Sequence, residues 1–132
     1  MTEPVWIPGS IISTIHDRQI AIHGGASGLR DAGLLESALA RPINAWHYGE
    51  RDICTLAALY GAGIIKNHPF VDGNKRTGFV AVELFLQLNG LSLTSGDEET
   101  LAAVLALAGG DIDENQFVDW LRSVVEKMEE GE

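Results

Sequence analysis

The sequence contains a single cysteine, Cys54, and no uncharged stretch long enough to cross a membrane. One cysteine can form neither a disulfide within the chain nor a CxxC zinc pair, which fits a reducing compartment. No uncharged run is longer than 13 residues, the length of residues 53–65, whereas a membrane-spanning helix requires about 20. The first residues also lack a basic segment followed by an apolar one, so no export signal is predicted. We therefore expect a soluble, cytoplasmic protein that has no membrane partner.

Basic residues are also few, because 9 Lys and Arg face 19 Asp and Glu, which gives a formal net charge of −10. Non-specific nucleic-acid binding depends on the neutralisation of phosphates by Lys and Arg. The composition therefore predicts no direct nucleic-acid partner. The acidic excess is concentrated in residues 97–132, which carry 11 acidic and 2 basic residues. This acidic third is a candidate contact surface for a protein partner, and the alternative is a face that is merely solvated.

The length of 132 residues and the hydrophobic fraction of 45% predict one domain over residues 1–132. Its core is expected over about residues 10–124, and an acidic tail over about 126–132. Apolar residues recur at three- and four-residue spacing along nearly the whole chain, which predicts an all-α, compact bundle of about six helices. We expect these helices at about residues 8–23, 31–41, 53–67, 74–89, 95–107 and 113–128, with a short extended piece at 91–93.

Local signals predict the ends of several helices. Asp31 and Asp52 can cap the second and third helices, and Pro42 is expected to end the second because a residue before proline avoids the helical conformation. Ser95 and Glu98 have the spacing of a capping box. The third helix is apolar on almost every face, which places it at the centre of the bundle.

The loop between the third and fourth helices, residues 68–76, carries the residues best suited to chemistry. A helix N-terminus presents unpaired N–H groups and the positive end of the helix dipole, so the backbone of Gly73 and Asn74 favours an anion. Lys75 and Arg76 add two cations at that point. Cations in a first helical turn oppose the dipole unless an anion lies beside them. The pattern predicts bound phosphates.

Two more side chains of this loop complete a catalytic pattern. Asp72 supplies a carboxylate of the kind that Mg²⁺ prefers. His68 can accept a proton from an attacking hydroxyl near neutral pH. Taken singly, each residue has a structural explanation: Asp72 as the N-cap of the fourth helix, His68 as a helix-end histidine, and the cations as solvated surface residues. Their joint occurrence within nine residues favours phosphoryl-type transfer.

The other residues considered, in this loop and outside it, are given structural roles. Phe70 is expected to be an apolar anchor, Cys54 a small buried hydrophobe, His23 a helix C-terminal residue and His16 a surface residue.

The loop resembles the motif of the Fic/Doc family, H-x-F-x-[D/E]-[A/G]-N-[G/K]-R. Every specified position is filled, by His68, Phe70, Asp72, Gly73, Asn74, Lys75 and Arg76. Other segments are similar to the death-on-curing (Doc) branch: residues 11–25 with their Gly-Gly end, the Leu-Arg-Asp turn at 29–31, and residues 85–90. The resemblance implies the all-α Fic/Doc fold.

The resemblance also implies roles for these residues. His68 would be the general base, Asp72 the Mg²⁺ ligand, and the remaining four, Gly73, Asn74, Lys75 and Arg76, the group that binds the phosphates of ATP. Family members with Gly where Lys75 stands transfer AMP, whereas Doc-like members with Lys transfer the γ-phosphate. The implied function is that of a toxin that phosphorylates a hydroxyl of elongation factor Tu and so arrests translation.

The same resemblance implies a partner and a flap. No segment of the inhibitory form [S/T]-x-x-x-E-[G/N] is found, so a separate antitoxin of the Phd type or similar is expected. The flap, which would hold the target segment, is placed at about residues 42–51, with Trp46, His47 and Tyr48. The alternative for Trp46 is simple packing on the core.

Three other functions stay open. Transfer of AMP to a protein hydroxyl is favoured by Pro69 and Gly73 and opposed by Lys75. An inactive nucleotide- or partner-binding module would retain the motif without catalysis. A metal-dependent hydrolase ranks last, since it would rest on His68 and Asp72 alone and such sites require more ligands.

Overall fold

Six α-helices and one short pair of antiparallel strands make up the chain in the computed structural model, which describes residues 2–129. The elements are, in order, α1 (Gly9–His23), α2 (Ala32–His47), α3 (Ile53–Asn67), α4 (Asn74–Leu88), β1 (Leu91–Leu93), α5 (Asp97–Gly109), α6 (Glu114–Ser123) and β2 (Val125–Lys127). The predicted all-α class and the number of helices are confirmed. Among residues 2–129, every helix is too short or too polar to span a lipid bilayer.

The central position predicted for α3 is confirmed. This helix packs against α2, α4, α5 and α6 and is buried on nearly every face. Two glycines permit the closest approaches: a Cβ at Gly61 would lie 2.7 Å from Val82, and one at Gly63 would lie 3.1 Å from Ala38. Asp52 caps the helix, as predicted, by accepting a hydrogen bond from the Cys54 N–H at 3.1 Å. The loop of residues 68–76 therefore follows directly from the most buried helix of the fold.

The prediction that Pro42 ends the second helix is wrong, because α2 continues through it to His47. Proline inside a helix removes one backbone hydrogen bond and is unfavourable by about 3 kcal/mol. The buried stripe of α2 compensates, since each fully buried large apolar side chain contributes about 1.5–3 kcal/mol. That stripe faces α3 and comprises Leu35, Ala38, Pro42 and Trp46.

The C-terminal region differs from the prediction in two places. The capping box is formed by Asp113 and Gln116, whereas Ser95 lies before the actual N-cap of α5, Gly96, and bonds Thr100 instead. The last helix ends at Ser123 rather than near residue 128, because residues 125–127 pair as a strand with residues 91–93. The predicted acidic tail of about 126–132 thus begins inside β2, and its last three residues lie outside the described part of the chain.

Ion pairs join the helices around α3. Glu114 of α6 binds Arg41 of α2 at 2.8 Å and Lys66 of α3 at 2.7 Å. Burial raises the pKa of Glu114, but the hydrogen bonds from Lys66 and Arg41 outweigh burial and hold this pKa below its ordinary value. Lys66 therefore has a structural partner away from the loop of residues 68–76. Cys54 is buried, as predicted, and desolvation raises the pKa of its thiol to about 11, as is typical of a structural cysteine.

Candidate active site

One cavity of about 350 Å³ lies at the C-terminal end of α3 and the N-terminal end of α4. All six predicted site residues line it: His68, Asp72, Gly73, Asn74, Lys75 and Arg76. The rest of its wall comes from the end of α1 and from α5. These residues are Gln19, Ile20, His23 and the following Gly24, together with Leu101 and Leu105 of α5. The structure therefore brings the predicted residues together, and it adds two helices to the site that the sequence did not point to.

The N-terminus of α4 forms the cationic wall of this cavity. Gly73 is the N-cap in the left-handed conformation, with φ 78°, and the predicted alternative of Asp72 as N-cap is wrong. Thr77 is the first residue of α4 whose N–H makes a helical hydrogen bond, which it donates to the Gly73 carbonyl at 3.0 Å. The N–H groups of Asn74, Lys75 and Arg76 therefore lie outside the helical ladder. With the exposed Lys75 and Arg76 side chains, they form an electropositive surface that favours an anion.

The Asp72 carboxylate is exposed at the edge of this wall and is held by two backbone groups. The Gly73 N–H donates to Oδ1 at 2.8 Å, and the Ala26 N–H donates to Oδ2 at 3.3 Å. The backbone of Gly25 also packs against it, since a Cβ there would lie 2.7 Å from Oδ2. The loop after α1 thus fixes the position of this carboxylate.

The one carboxylate of Asp72 suits Mg²⁺ that is bound together with the phosphates of a ligand. Mg²⁺ is commonly held by one or two carboxylates together with substrate phosphates and water. Within residues 2–129, no cluster of three or more His, Cys, Asp or Glu side chains could hold a metal ion. A single carboxylate beside the N-terminus of α4 fits a metal ion that shares its ligands with a nucleotide.

His68 ends α3 in an unusual backbone conformation. It is the C-cap, and with φ 54° and ψ 52° it is the only non-glycine residue in the described part of the chain that has a positive φ. Arg30 stabilises this conformation, because its guanidinium donates to the His68 carbonyl at 2.7 Å and to the Asn67 carbonyl at 3.0 Å. The left-handed turn leaves the imidazole exposed on the cavity wall, close to the anion site.

The segment that lies along the motif loop is residues 28–31, and the prediction of a flap at residues 42–51 is wrong. Arg30 and Asp31 donate their N–H groups to the Pro69 carbonyl, and Val71 donates to the Gly28 carbonyl at 3.0 Å. Residues 42–47 are helical, and residues 48–52 precede α3, whose 15 residues separate them from the motif by about 20 Å. Trp46 is buried, which is the alternative stated for it.

The Asn74 side chain forms hydrogen bonds with the backbone of the motif loop at Phe70. Its Oδ1 accepts the Phe70 N–H at 3.0 Å, and its Nδ2 donates to the Phe70 carbonyl at 3.0 Å, with only 2% of Asn74 exposed. Phe70 is buried, as predicted of an apolar anchor. The Asn74 side chain is therefore bonded within the loop, which leaves the backbone N–H as the Asn74 group available to an anion.

Replacing Asn74 by alanine is expected to lower the free energy of unfolding by about 3 kcal/mol. The change leaves two buried backbone groups of Phe70 unpaired, and each such group costs about 1–3 kcal/mol. Urea denaturation followed by circular dichroism measures the effect. Asn115→Ala on the exposed surface of α6 is the control, with an expected change within about 0.5 kcal/mol. Equal stability of the two variants would contradict this role.

His16 was predicted to lie on the surface, and the structure shows that it is buried, with 1% exposed. Its ring stacks on Phe70 at 3.9 Å between centroids, and its Nε2 lies 2.7 Å from the Asp72 carbonyl oxygen. A signal was available in the sequence, because His16 shares one face of α1 with the buried residues Ile12 and Ile15. His23 ends α1, as predicted, and also lines the cavity, where its Nε2 lies 3.4 Å from Arg76.

A second cavity of about 320 Å³ continues from the first along α4 and shares Gln19, His23, Arg76 and Leu101 with it. Its far side is acidic, with Glu83, Asp97 and Glu98. Burial raises the pKa of Glu83, and the nearby charge of Asp97 raises it further. The two joined cavities are therefore cationic at the motif and acidic away from it.

Comparison with known proteins matches residues 6–86 to the model of the Fic/DOC family. Two curated relatives agree with this match. The chain is 33% identical to "Protein kinase doc" of Escherichia phage P1 over 109 residues, which are 82% of this chain and 86% of that protein. It is 43% identical to "Toxin Doc" of Mycolicibacterium smegmatis (strain ATCC 700084 / mc(2)155) over 75 residues, which are 54% of this chain and 57% of that protein. The chain therefore belongs to the Fic/Doc family and to its Doc branch.

Proposed function

We propose that this chain is the toxin of a toxin–antitoxin pair and transfers the γ-phosphate of ATP to a hydroxyl of a protein target. The observation that carries the proposal is the single cavity in which His68 and the Asp72 carboxylate adjoin the cationic N-terminus of α4. The name of the phage P1 relative, a protein kinase, supports the same reaction. By resemblance to the Doc branch, the target is elongation factor Tu and the consequence is arrest of translation.

The anion site would bind the phosphates. Backbone N–H groups at a helix N-terminus point at the ligand and need no rearrangement as charge develops on it. Arg76 can hold two phosphate oxygens with its planar guanidinium, and Lys75 acts as a point charge. Asp72 would hold Mg²⁺, which when bound neutralises charge on the phosphates.

His68 would act as the general base. In the transfer, the target hydroxyl oxygen forms a bond to the γ-phosphorus while the bond from that phosphorus to the β,γ-bridging oxygen breaks. The hydroxyl proton goes to the imidazole of His68, and ADP leaves. The exposed imidazole at the cavity wall is accessible to a hydroxyl on another protein. The fixed backbone of His68 and Pro69 keeps the base in place during this step.

Lys75 favours γ-phosphate transfer over AMP transfer. A glycine at that position would leave an open backbone surface for the inner phosphates of the nucleotide. The long cationic side chain of Lys75 occupies that space and favours the reversed nucleotide, which offers its γ-phosphate to His68. AMP transfer is the second candidate, and the His-Pro-Phe and Gly-Asn elements around Pro69 and Gly73 favour it.

Mass spectrometry of elongation factor Tu, after incubation with the chain, ATP and Mg²⁺, separates the two reactions. The proposal expects the target to gain the mass of one phosphate. A gain of one AMP would replace the proposed reaction by the second candidate.

Lys75→Gly is expected to lower γ-phosphate transfer about tenfold or more, because a charge-assisted contact contributes about 1.5–3 kcal/mol. The ratio of α-label to γ-label transferred from ATP should rise at the same time. Parallel assays with ATP labelled at either phosphate measure both effects. Lys127→Gly, at an exposed position of β2 away from the cavity, is the control. An unchanged label ratio in Lys75→Gly would show that Lys75 does not orient the nucleotide.

The proposed partner is a separate antitoxin of the Phd type or similar. No inhibitory segment of the family's form is found in the sequence, so inhibition would come from another chain. The acidic first turn of α5 remains the candidate contact surface, since Asp97, Glu98 and Glu99 are exposed beside the joined cavities. A partner for this surface is expected to present basic side chains.

A further inference from the structure

We propose that His16 is a positioning residue for the Asp72 carboxylate, and hence for the Mg²⁺ and phosphate end of the cavity. This inference rests on the proposed function, because it assigns Asp72 the role of metal ligand. It concerns a residue outside the motif, 56 positions away in the sequence.

The hydrogen bond from His16 fixes which ring nitrogen carries the proton. A carbonyl oxygen can only accept, so the Nε2 of His16, 2.7 Å from the Asp72 carbonyl oxygen, must carry the hydrogen. His16 itself is almost fully buried between α1 and the motif loop. Its ring is parallel to that of Phe70, with an interplanar angle of 6°. The ring therefore has one orientation, and its donor points at one atom of the loop.

The Asp72 carbonyl and the Gly73 N–H belong to the same peptide unit, which is planar. The N–H of that unit donates to Oδ1 of Asp72 at 2.8 Å. By holding the carbonyl, His16 therefore sets the direction of the N–H, and the N–H sets the position of the carboxylate. A short chain of two hydrogen bonds and one rigid peptide links a buried side chain of α1 to the exposed ligand.

The left-handed conformation of Gly73 makes this restraint useful. Gly73 has φ 78° and no side chain, and the His16 ring packs against its Cα side, where a Cβ would lie 3.6 Å from Cδ2. Glycine populates several backbone conformations with similar energies, so the peptide before it needs an outside contact to stay in one orientation. His16 supplies that contact at the point where the loop enters α4.

Three substitutions separate the donor from the ring. His16→Phe keeps an aromatic ring against Phe70 and removes the donor. His16→Gln keeps an N–H donor and removes the ring, and His16→Met has nearly the length of Gln without a donor. His47→Phe makes the same chemical change at an exposed position at the end of α2 and is the matched control.

The first readout is amide hydrogen exchange of Gly73, followed by NMR without nucleotide. His16→Phe and His16→Met are expected to exchange this amide about tenfold faster than the unmodified chain, since one hydrogen bond of ordinary net strength is lost. His16→Gln should stay close to the unmodified chain, as should His47→Phe. If His16→Phe does not fold, the Gln and Met pair gives the same comparison.

The second readout is calorimetric binding of a non-hydrolysable ATP analogue at increasing Mg²⁺ concentrations. The Mg²⁺ concentration for half-maximal enhancement should rise about tenfold in His16→Phe and His16→Met, as for other groups that orient a metal ligand. In His16→Gln it should change little. Unaltered Gly73 exchange and Mg²⁺ dependence without the donor, or equal loss in the Gln and Met variants, would overturn the inference. If the unmodified chain bound no nucleotide, the proposed function would fail, and Gly73 exchange would still decide the role of His16.

Discussion

Replacing His68 is expected to lower the rate of phosphate transfer by about 10²–10⁴-fold, the usual contribution of a positioned general base. His68→Asn is the better variant, because asparagine tolerates the left-handed backbone that His68 adopts. His68→Ala adds a small backbone effect. The side chain is exposed, so the free energy of unfolding should change little in His68→Asn. Steady-state transfer assays and urea denaturation measure the two quantities.

His47→Asn is the control for this substitution. His47 is the exposed last residue of α2, and the length of α3 separates it from the motif. It should retain full activity. The His68→Asn assays also decide whether the chain is an inactive binding module. Loss of transfer and toxicity in His68→Asn, with antitoxin binding retained, would exclude such a module. Full activity of His68→Asn would instead remove His68 from the mechanism.

Replacing Arg76 by alanine is expected to lower transfer by about 10²–10³-fold, as when one preorganised donor to a developing charge is removed. Arg76 lines the cavity from the first turn of α4, and its exposed guanidinium lies beside His23. No buried ion pair is lost, so stability should be nearly unchanged. Transfer rates at several ATP concentrations separate weaker nucleotide binding from slower transfer.

Two further variants define what Arg76 contributes. Arg76→Lys keeps the charge and loses the planar fork, so its activity should lie between those of the unmodified chain and Arg76→Ala. Arg18→Ala removes an exposed arginine of α1 that does not line the motif cavity and should leave transfer unchanged. Equal activity of Arg76→Ala and Arg18→Ala would mean that Arg76 does not contact the transferred phosphate.

The candidate site could be predicted because its chemistry is local in sequence. Residues 68–76 are consecutive, and one left-handed turn at His68 with a second at Gly73 brings them around one cavity. The ends of α3 and α4 were also predictable, since Asp52 and the glycines next to the apolar segments act on neighbouring residues. Short-range rules therefore reach the residues that would do the chemistry.

The contacts that hold the site in place could not be predicted in this way. Arg30 reaches the His68 carbonyl across 38 positions, and His16 reaches Asp72 across 56. No local spacing encodes such pairs. The error over the flap has the same origin, since only the three-dimensional structure shows that residues 28–31, and not 42–51, lie along the motif.

Two helix ends were predicted wrongly because tertiary contacts outweigh the conformational preference of the local sequence. Pro42 was expected to stop α2, but the buried stripe against α3 continues through it. Residues after Ser123 keep a helical spacing of apolar side chains, yet Val125–Lys127 pairs with Leu91–Leu93, more than thirty positions earlier. In both cases the partner surface, which is distant in sequence, decides the local conformation.

The most direct test of the proposed function is transfer to elongation factor Tu from ATP labelled separately at the γ- and α-phosphates, with Mg²⁺ present. The unmodified chain is expected to transfer the γ-label and not the α-label, and His68→Asn is expected to transfer neither above background. Transfer of the α-label would contradict the proposed reaction and establish AMP transfer instead. Equal γ-label transfer by His68→Asn would contradict the assignment of the general base.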